Sequence, residues 1–242
     1  RVCDSVTCEI NGASQLAQSL DDYFKGTVRI QKVPCIGRCQ SAPVAVVKFN
    51  PIDNANLKNV KQAVDAKEYN PPIPKYISME EYVENGGYEL LAKLKDNQIE
   101  SDKVLIELEN SNLRGLGGAG FPAGKKWRIL KEQPCPRLLA INIDEGEPGT
   151  FKDRFYLETD PHRFFEGMLI ASEVVGIDKI YIYLRDEYAA VRSLMTEELK
   201  KLKNKFKNRI PEIELRRGAG AYICGEESAM IESIEGKKGM PR

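Results

Sequence analysis

Histidine is almost absent from this chain of 242 residues, whose single example is His162. That histidine stands at the start of a predicted helix and offers no evident base for activating a nucleophile. Net charge is absent too, because 36 Lys and Arg balance 36 Asp and Glu. No overall basic field therefore attracts nucleic acid or anionic lipid. We expect no nucleic-acid partner.

Long apolar runs are also missing. No run reaches the roughly 18 residues that a membrane span requires, and the N-terminus lacks a signal-peptide pattern. We expect a soluble, cytoplasmic protein without direct membrane insertion. With 42% hydrophobic residues, the chain suits one large or two small domains. It begins at Arg1, inside a predicted strand, and stops at Arg242 without a closing element. We therefore expect a piece of a longer, C-terminally truncated polypeptide.

Cysteine, in contrast, is concentrated near the N-terminus. Of the six cysteines, four form the pairs Cys3-x4-Cys8 and Cys35-x3-Cys39. Disulfides are disfavoured in a cytosolic protein. Structural zinc prefers a C-x2-C spacing that neither pair has. An iron-sulfur cluster also uses four thiolates, although these spacings differ from the plant-type ferredoxin pattern. Iron-sulfur, zinc and inert thiols all remain open from spacing alone.

The elements around these cysteines predict a small domain. A helix is predicted over residues 13–24, strands over 27–33 and 43–49, and a helix over 57–64. This β-α-β-β-α order is compatible with a thioredoxin-like fold over residues 1–69. Residues 70–76 include the stiff Asn-Pro-Pro-Ile-Pro run and form the predicted linker to a second domain, residues 77–242.

The second domain alternates strands and helices. Apolar runs predict strands over 137–143 and 179–184, and a third strand begins near 213. Between the first two strands, Asp160, Pro161 and Gly176 predict the start and stop of a helix. A further helix is predicted over 188–206. Such alternation favours a mostly parallel sheet that binds ligands beyond the carboxyl ends of its strands.

A glycine-rich loop precedes this sheet. Residues 114–124 hold five glycines and are followed by Lys125 and Lys126, a composition suited to cradling an anion. Gly115, Gly117 and Gly120 formally match G-x-G-x-x-G, but a helix rather than a strand is predicted before them, over residues 101–112. We therefore expect a phosphate cradle that is not an ordinary Rossmann turn. A flexible surface loop is the alternative.

Two strand ends carry further chemistry. Residues 142–149, Asn-Ile-Asp-Glu-Gly-Glu-Pro-Gly, hold three carboxylates in four positions, which suits hydrogen bonding to ligand hydroxyl or amide groups. Residues 216–228 form a second glycine-rich turn before a predicted helix, whose N-terminus offers free N–H groups. Either acidic cluster alone could be a solvated turn. We call residues 142–149 the acidic turn and residues 216–228 the second glycine turn.

These motifs resemble two known families. Cys3 to Cys8 and Pro34-Cys-Ile-Gly-Arg-Cys39 resemble the thioredoxin-like 2Fe-2S ferredoxin domain of NADH-oxidising flavoproteins. RGLGGAGFPAGKKW, NIDEGEPGTFKDR and GAGAYICGEES resemble the FMN- and NADH-binding subunit of respiratory complex I. That family includes the diaphorase subunits of NAD-reducing hydrogenases and the flavoprotein subunits of NAD-dependent formate dehydrogenases.

The resemblance implies an α/β fold, with a thioredoxin-like ferredoxin domain followed by a Rossmann-like FMN-binding domain. It implies Cys3, Cys8, Cys35 and Cys39 as ligands of a 2Fe-2S cluster. The implied FMN-binding residues are Gly115, Gly117, Lys126, Asn142, Asp144, Glu145, Tyr222, Gly225 and Glu226. Gly118 and Gly120 are implied as further cofactor-binding residues. The implied NAD(H)-facing residues are Phe121, Glu147 and Glu227, with Glu147 as the catalytic residue.

The implied activity is hydride transfer between NAD(H) and FMN, followed by single-electron transfer to iron-sulfur centres. A 4Fe-4S cluster is expected in a downstream segment of the family. Fusion of the two domains favours partners that are the iron-sulfur and catalytic subunits of a formate dehydrogenase or hydrogenase. The alternatives are a complex I subunit, a non-catalytic iron-sulfur docking module and a zinc-stabilised nucleotide-binding regulator.

Overall fold

The computed structural model describes residues 1–116 and 118–242. Its first sheet has the strand order β2-β1-β3-β4, with β1 parallel to β2 and the other pairs antiparallel. The strands are β1 (Val2–Cys3), β2 (Lys32–Val33), β3 (Ala45–Val47) and β4 (Asn50–Ile52). The strands predicted over 27–33 and 43–49 are thus shorter than expected. The second of them turns back at Lys48, where φ is 59°, into β4.

Helices α1 (Val6–Ile10), α2 (Ala13–Phe24) and α3 (Leu57–Asp65) pack with this sheet. Leu16, Leu20 and Phe24 recur at helical spacing on α2 and are buried in the core of this region. Helix α3 begins with a capping box in which the side chains of Asn56 and Asn59 each accept the other's backbone N–H. Helices α2 and α3 match their predictions, whereas α1 was not predicted.

The second sheet is parallel, with the order β5-β6-β7. Its strands are β5 (Leu138–Ile143), β6 (Lys179–Leu184) and β7 (Glu212–Arg217). Their last residues are in register, since Ile143 pairs with Leu184 and Leu184 with Arg217. The predicted parallel sheet is confirmed. Its carboxyl edge therefore brings together the segments that follow the three strands, namely the acidic turn, Arg185 and the second glycine turn.

Helices α9 (Pro161–Val175) and α10 (Ala189–Phe206) supply most of the core beside this sheet. The Asp160 side chain accepts the backbone N–H of Arg163 at 3.2 Å, Pro161 occupies the first turn, and Gly176 closes the helix at a φ of 75°. The predicted start and stop signals of α9 are thus confirmed. The physical cause is local, since each signal satisfies or removes a backbone group at a helix end.

The remaining helices are shorter. They are α4 (Met79–Glu84), α5 (Glu89–Lys95), α6 (Ser101–Asn110), α7 (Ala123–Lys131), α8 (Lys152–Thr159) and α11 (Glu227–Ile234). Helices α7 and α8 were not predicted, and each begins inside one of the quoted motifs. Glycine and proline dominate those starts, so the apolar periodicity that marks the longer helices is weak there.

Residues 71–78 form neither helix nor strand. The far end of this segment is tied to the second region, because the Tyr76 hydroxyl donates to Glu198 at 2.7 Å and the Ile77 N–H donates to the Thr159 carbonyl at 2.9 Å. The boundary at residues 70–76 stays a prediction. Among the described residues, no helix combines the length and apolarity needed to cross a membrane.

Candidate functional site

The acidic turn and the second glycine turn meet at the carboxyl edge of the parallel sheet. Asn142 joins them, since its side-chain amide donates to the Gly225 carbonyl at 2.7 Å and its Oδ1 accepts the Asp144 N–H at 3.0 Å. The Tyr222 hydroxyl also lies 3.3 Å from Glu147 Oε1. Two motifs that are about 80 residues apart in the chain therefore form one wall.

This wall encloses a cavity of about 700 Å³. Seven of the residues implied by the resemblance line it, namely Asn142, Asp144, Glu145, Glu147, Tyr222, Gly225 and Glu226. The lining is completed by Leu116, Thr150, Lys152, Asp153 and Ile223. Leu116 belongs to the first glycine-rich loop, so all three motifs reach the same cavity. Its volume is in the range of small-molecule and cofactor sites.

Asp144 carries an unsatisfied acceptor in this cavity. Its Oδ2 is buried and has no hydrogen-bond partner among the described residues. Burial raises the pKa of Asp144 to about 6, from an ordinary value of 3.8. Buried polar atoms are normally paired, so an unpaired one beside a cavity indicates a ligand donor. A flavin ring presents such an N–H donor, and the site fits FMN in this respect.

Glu145 has a different environment from its neighbours. Its carboxylate accepts the backbone N–H groups of Asp153 at 3.0 Å and Arg154 at 3.3 Å, and the Tyr188 hydroxyl at 2.8 Å. It therefore satisfies the N-terminus of α8, as a capping side chain would. Glu145 borders the cavity while its oxygens are already committed to the protein. Its predicted contact with FMN stays a prediction.

The two ends of the first glycine-rich loop are held together by hydrogen bonds. The Gly115 N–H donates to the Phe121 carbonyl at 3.0 Å, and Arg114 Nη1 donates to the Gly120 carbonyl at 3.1 Å. Gly118 and Gly120 have φ values of 96° and 60°, which side-chain-bearing residues rarely adopt. Gly117 lies outside the described residues.

The remaining members of the implied set do not line the cavity. They are Gly115, Gly118, Gly120, Phe121, Lys126 and Glu227. Phe121 is 46% exposed, and Lys126 and Glu227 are exposed near the starts of α7 and α11. Their roles toward FMN and NAD(H) stay predictions.

Sequence reasoning missed three polar residues of the lining, Thr150, Lys152 and Asp153. Lys152 is the one basic residue among the described lining residues, and its Nζ lies 2.5 Å from Asp153 Oδ1 and 4.0 Å from Glu145 Oε1. The quoted motif NIDEGEPGTFKDR contains all three. Position within that motif was thus the available signal, but only the folded start of α8 turns them toward the cavity.

The four N-terminal cysteines cluster at one end of the first sheet. Cys3, Cys8 and Cys35 are buried, Cys39 is partly exposed, and none forms a disulfide. Cys35 Sγ and Cys39 Sγ are 3.4 Å apart. Hydrogen bonding with the Cys35 thiol lowers the pKa of Cys3, whereas burial raises the pKa of Cys8. Four thiols from two loops match the donor set of a 2Fe-2S cluster.

In the part of the chain that the structure describes, no group of three or more His, Cys, Asp or Glu side chains is arranged around the position of one metal ion. A two-iron cluster divides its four thiolates between two irons, so it does not require that arrangement.

The cysteine loop lies directly against the acidic turn. The Gly149 N–H, at the end of that turn, donates to Cys39 Sγ at 3.1 Å, and the Gly37 N–H donates to Cys35 Sγ at 3.4 Å. The Arg154 side chain donates to the Gly37 carbonyl at 3.0 Å. The thiol cluster and the cavity therefore share a wall.

Two family models match the chain. The model of the Nuo51 FMN-binding domain matches residues 108–242, which is more than half of the chain. This chain belongs to the Nuo51 FMN-binding domain family. Ahead of the Nuo51 FMN-binding domain, the model of the thioredoxin-like 2Fe-2S ferredoxin matches residues 1–68. The predicted family, fold class, FMN and 2Fe-2S cofactors are confirmed by these matches.

The chain is similar to several curated proteins. One of them is the F subunit of NADH-quinone oxidoreductase from Aquifex aeolicus strain VF5, which is 45% identical over 177 residues. That match covers 70% of this chain and 41% of the relative. The second F subunit of NADH-quinone oxidoreductase from Rhizobium meliloti strain 1021 is 40% identical over 182 residues, covering 72% of this chain and 43% of the relative. The chain thus spans less than half the length of these relatives.

Solved structures extend the similarity over both regions. The NAD+-reducing NiFe-hydrogenase in its air-oxidised state matches with a TM-score of 0.80 and 30% identity, over 100% of this chain and 46% of that chain. Its H2-reduced state matches with a TM-score of 0.83 over the same shares. The likeness therefore includes the thioredoxin-like region as well as the Nuo51 FMN-binding domain.

Proposed function

We propose that this chain is the NADH-oxidising flavin and iron-sulfur module of a larger redox enzyme. It exchanges a hydride between NAD(H) and FMN and single electrons between FMN and the 2Fe-2S cluster. The hydrogen bond from Gly149 to Cys39 carries this proposal, because it places the thiol cluster in direct contact with the wall of the cofactor cavity. Short separation of two redox groups is the main requirement for passing electrons between them.

FMN, when bound, supplies the hydride acceptor and the conversion between two-electron and one-electron chemistry. The protein supplies binding and orientation. Asp144 Oδ2 would accept an N–H of the flavin ring, and Asn142 fixes the turn that would present it. Backbone N–H groups of the first glycine-rich loop, together with Lys126, would bind the FMN phosphate.

Glu147 would orient the nicotinamide. It accepts the hydroxyl of Tyr222, an implied FMN-binding residue, at 3.3 Å on the cavity wall, and its side chain is exposed and so accessible to a dinucleotide. Phe121, 46% exposed, would pack on the adenine. Because proximity of the nicotinamide to FMN is the main catalytic device, no side chain is needed as a nucleophile.

The visible spectrum of the anaerobically purified full-length protein, before and after NADH, tests this proposal. We expect flavin and iron-sulfur absorption that bleaches promptly on addition of NADH. A colourless protein, or a brown one without flavin absorption, would instead support the non-catalytic docking module. Zinc without acid-labile sulfide would support the nucleotide-binding regulator.

We further propose that the partner subunits belong to a hydrogenase or a formate dehydrogenase. The hydrogenase structures match the whole chain, including the region of the cysteines, which supports a fused module of that class. Complex I is the second candidate, supported by the NADH-quinone oxidoreductase relatives. Co-purification of the full-length protein, followed by assays of NAD reduction with H2 and with formate, distinguishes them. Activity with neither donor, together with recovery by quinone-reducing subunits, would reject the first candidate.

A further inference from the structure

Two buried arginines extend from the flavin-binding region to the cysteine loop, residues 35–39. Arg154 on α8 and Arg185 at the end of β6 are only 5% and 3% exposed. Arg154 Nε donates to the Gly37 carbonyl at 3.0 Å, and Arg185 Nη2 donates to the Cys35 carbonyl at 2.6 Å. Burying a guanidinium is costly unless its donors are satisfied. These two are satisfied in part by the backbone that bears the cysteines.

Arg185 joins the cysteine loop to the acidic turn. One nitrogen donates to the Cys35 carbonyl, and the other terminal nitrogen donates to the Glu145 carbonyl. Its Nε donates to Glu187 at 3.1 Å, and its guanidinium lies over the Tyr188 ring at 5.0 Å. A planar fork can reach two carbonyls at once, whereas the single nitrogen of lysine has no such fixed geometry.

Arg154 makes a parallel connection. Its Nη1 donates to Glu158 at 2.6 Å, and Glu158 also pairs with Arg38 of the cysteine loop at 3.6 Å. Arg38 in turn forms a two-point pair with Asp53. Each buried arginine thus has a carboxylate partner, but its guanidinium nitrogens are the atoms that contact the backbone of residues 35–39. The positive member of each pair is therefore the one in contact with the backbone that bears Cys35 and Cys39.

We propose that Arg154 and Arg185 are positioning residues that hold the cysteine loop against the acidic turn and raise the reduction potential of the 2Fe-2S cluster. Reduction by one electron adds one negative charge at the cluster. Nearby buried positive charge stabilises that added charge strongly, because the surroundings screen it poorly. This inference rests on the proposed function, since it requires a bound cluster that accepts electrons from the flavin side.

The test compares wild-type full-length protein with the variants R154Q, R185Q and R192Q. Arg192 is the matched control, because it is also a partly buried arginine. It donates to the backbone carbonyl of Asp186 at 3.2 Å and forms an ion pair with the Asp186 carboxylate at 3.6 Å. Iron and acid-labile sulfide are first quantified in each protein. The midpoint potential of the cluster is then measured by a mediated redox titration followed by electron paramagnetic resonance, with dithionite as the reductant.

We expect all four proteins to hold the cluster, with a more negative midpoint potential in R154Q and in R185Q than in the wild type and R192Q. We also expect NADH to reduce a smaller fraction of the cluster in these two variants. An unchanged potential in both would overturn the inference, as would loss of the cluster, which would make the arginines assembly residues. Absence of iron and sulfide from the wild type would instead reject the proposed function itself.

Discussion

The ring of Tyr188 lies against the backbone of Gly37. A Cβ placed on Gly37 would be 2.5 Å from Tyr188 Cε1, and Gly37 also has a φ of 70°. The hydroxyl of the same tyrosine donates to Glu145 at 2.8 Å. One aromatic side chain therefore contacts the cysteine loop with its ring and the acidic turn with its hydroxyl, which makes this junction sensitive to small changes.

We expect G37A to be more destabilising than G26A, which is a matched control. Gly26 has a similar φ of 82°, but a Cβ there would meet nothing within 4 Å. The left-handed backbone alone should cost about 1–2 kcal/mol in G26A. G37A adds the clash with Tyr188, worth a further ~1–3 kcal/mol. Urea unfolding of both variants measures the difference, and equal free energies of unfolding would show that the contact is not tight.

The Asp144 carboxylate is expected to lower the stability of the ligand-free protein while strengthening the binding of FMN. Its pKa is raised to about 6 in the folded protein, from an ordinary value of 3.8. Ionisation therefore destabilises the ligand-free fold, and this penalty grows as pH rises from about 4 to about 6. At pH 7 we expect ligand-free D144N to be more stable than wild type by on the order of 1–2 kcal/mol, a value reduced for partial exposure.

The D144N advantage should vanish below about pH 4, where the carboxyl is protonated in both states. The same variant should bind FMN more weakly, because the charged carboxylate acceptor is replaced by a neutral amide oxygen, which is a weaker acceptor. D21N, on the exposed face of α2, is the control and should change neither property. Denaturant unfolding as a function of pH and fluorescence titration with FMN measure the two effects. A stability difference that is constant with pH would contradict the argument.

Glu147 is expected to affect NADH oxidation more than FMN retention. E147Q keeps the shape of the side chain but removes the charge beside the Tyr222 hydroxyl. We expect NADH oxidation to fall at least about tenfold, equivalent to about 1.4 kcal/mol of barrier, with bound FMN unchanged. Released flavin fluorescence and steady-state kinetics provide the two measurements, and E197Q on the exposed face of α10 is the control. Parallel loss of both properties would contradict the assigned role.

His162 is expected to be structural. It is fully buried between the Tyr88 hydroxyl and Glu198 Oε2, each at 2.8 Å, and burial lowers its pKa from the ordinary 6.5. The unfolded chain takes up a proton there that the folded protein does not, so stability should fall as pH drops below about 6.5. H162Q should lose this dependence and about 1–3 kcal/mol of stability at pH 7.5.

NADH oxidation by H162Q, measured at a temperature where the variant remains folded, should equal that of the wild type. Unfolding followed by circular dichroism at pH 5.5 and 7.5 gives the stability comparison. Lost oxidation without lost stability would instead place this histidine in the reaction.

Local signals in the sequence predicted element boundaries correctly where the conformation depends on neighbouring residues. Asp160, Pro161 and Gly176 bound α9 because capping depends on neighbouring backbone groups. The run Lys179–Leu184 is β6 with the predicted ends. The short strands β1 and β2 could not be bounded in this way, because a strand extends only as far as its partner provides backbone hydrogen bonds.

The candidate site also has features that the motifs indicated and features that they did not. The motifs identified seven of the twelve described residues that line the cavity, including Asn142, Asp144 and Glu147. They did not indicate that the Glu145 carboxylate is occupied by the N-terminus of α8, or that Lys152 lines the cavity. Those facts depend on the direction of α8, which its glycine- and proline-rich approach does not specify.

The sequence by itself determined the family, through the motifs quoted above, and the alternation of strands and helices around the parallel sheet, because apolar periodicity and helix-end signals record that alternation directly. Only the tertiary structure decided that Arg185 bridges Cys35 and Glu145, and that Gly149 donates to Cys39. These contacts join positions more than 100 residues apart, or depend on which end of the sheet a loop leaves. Such contacts arise from tertiary packing, which no local sequence pattern encodes.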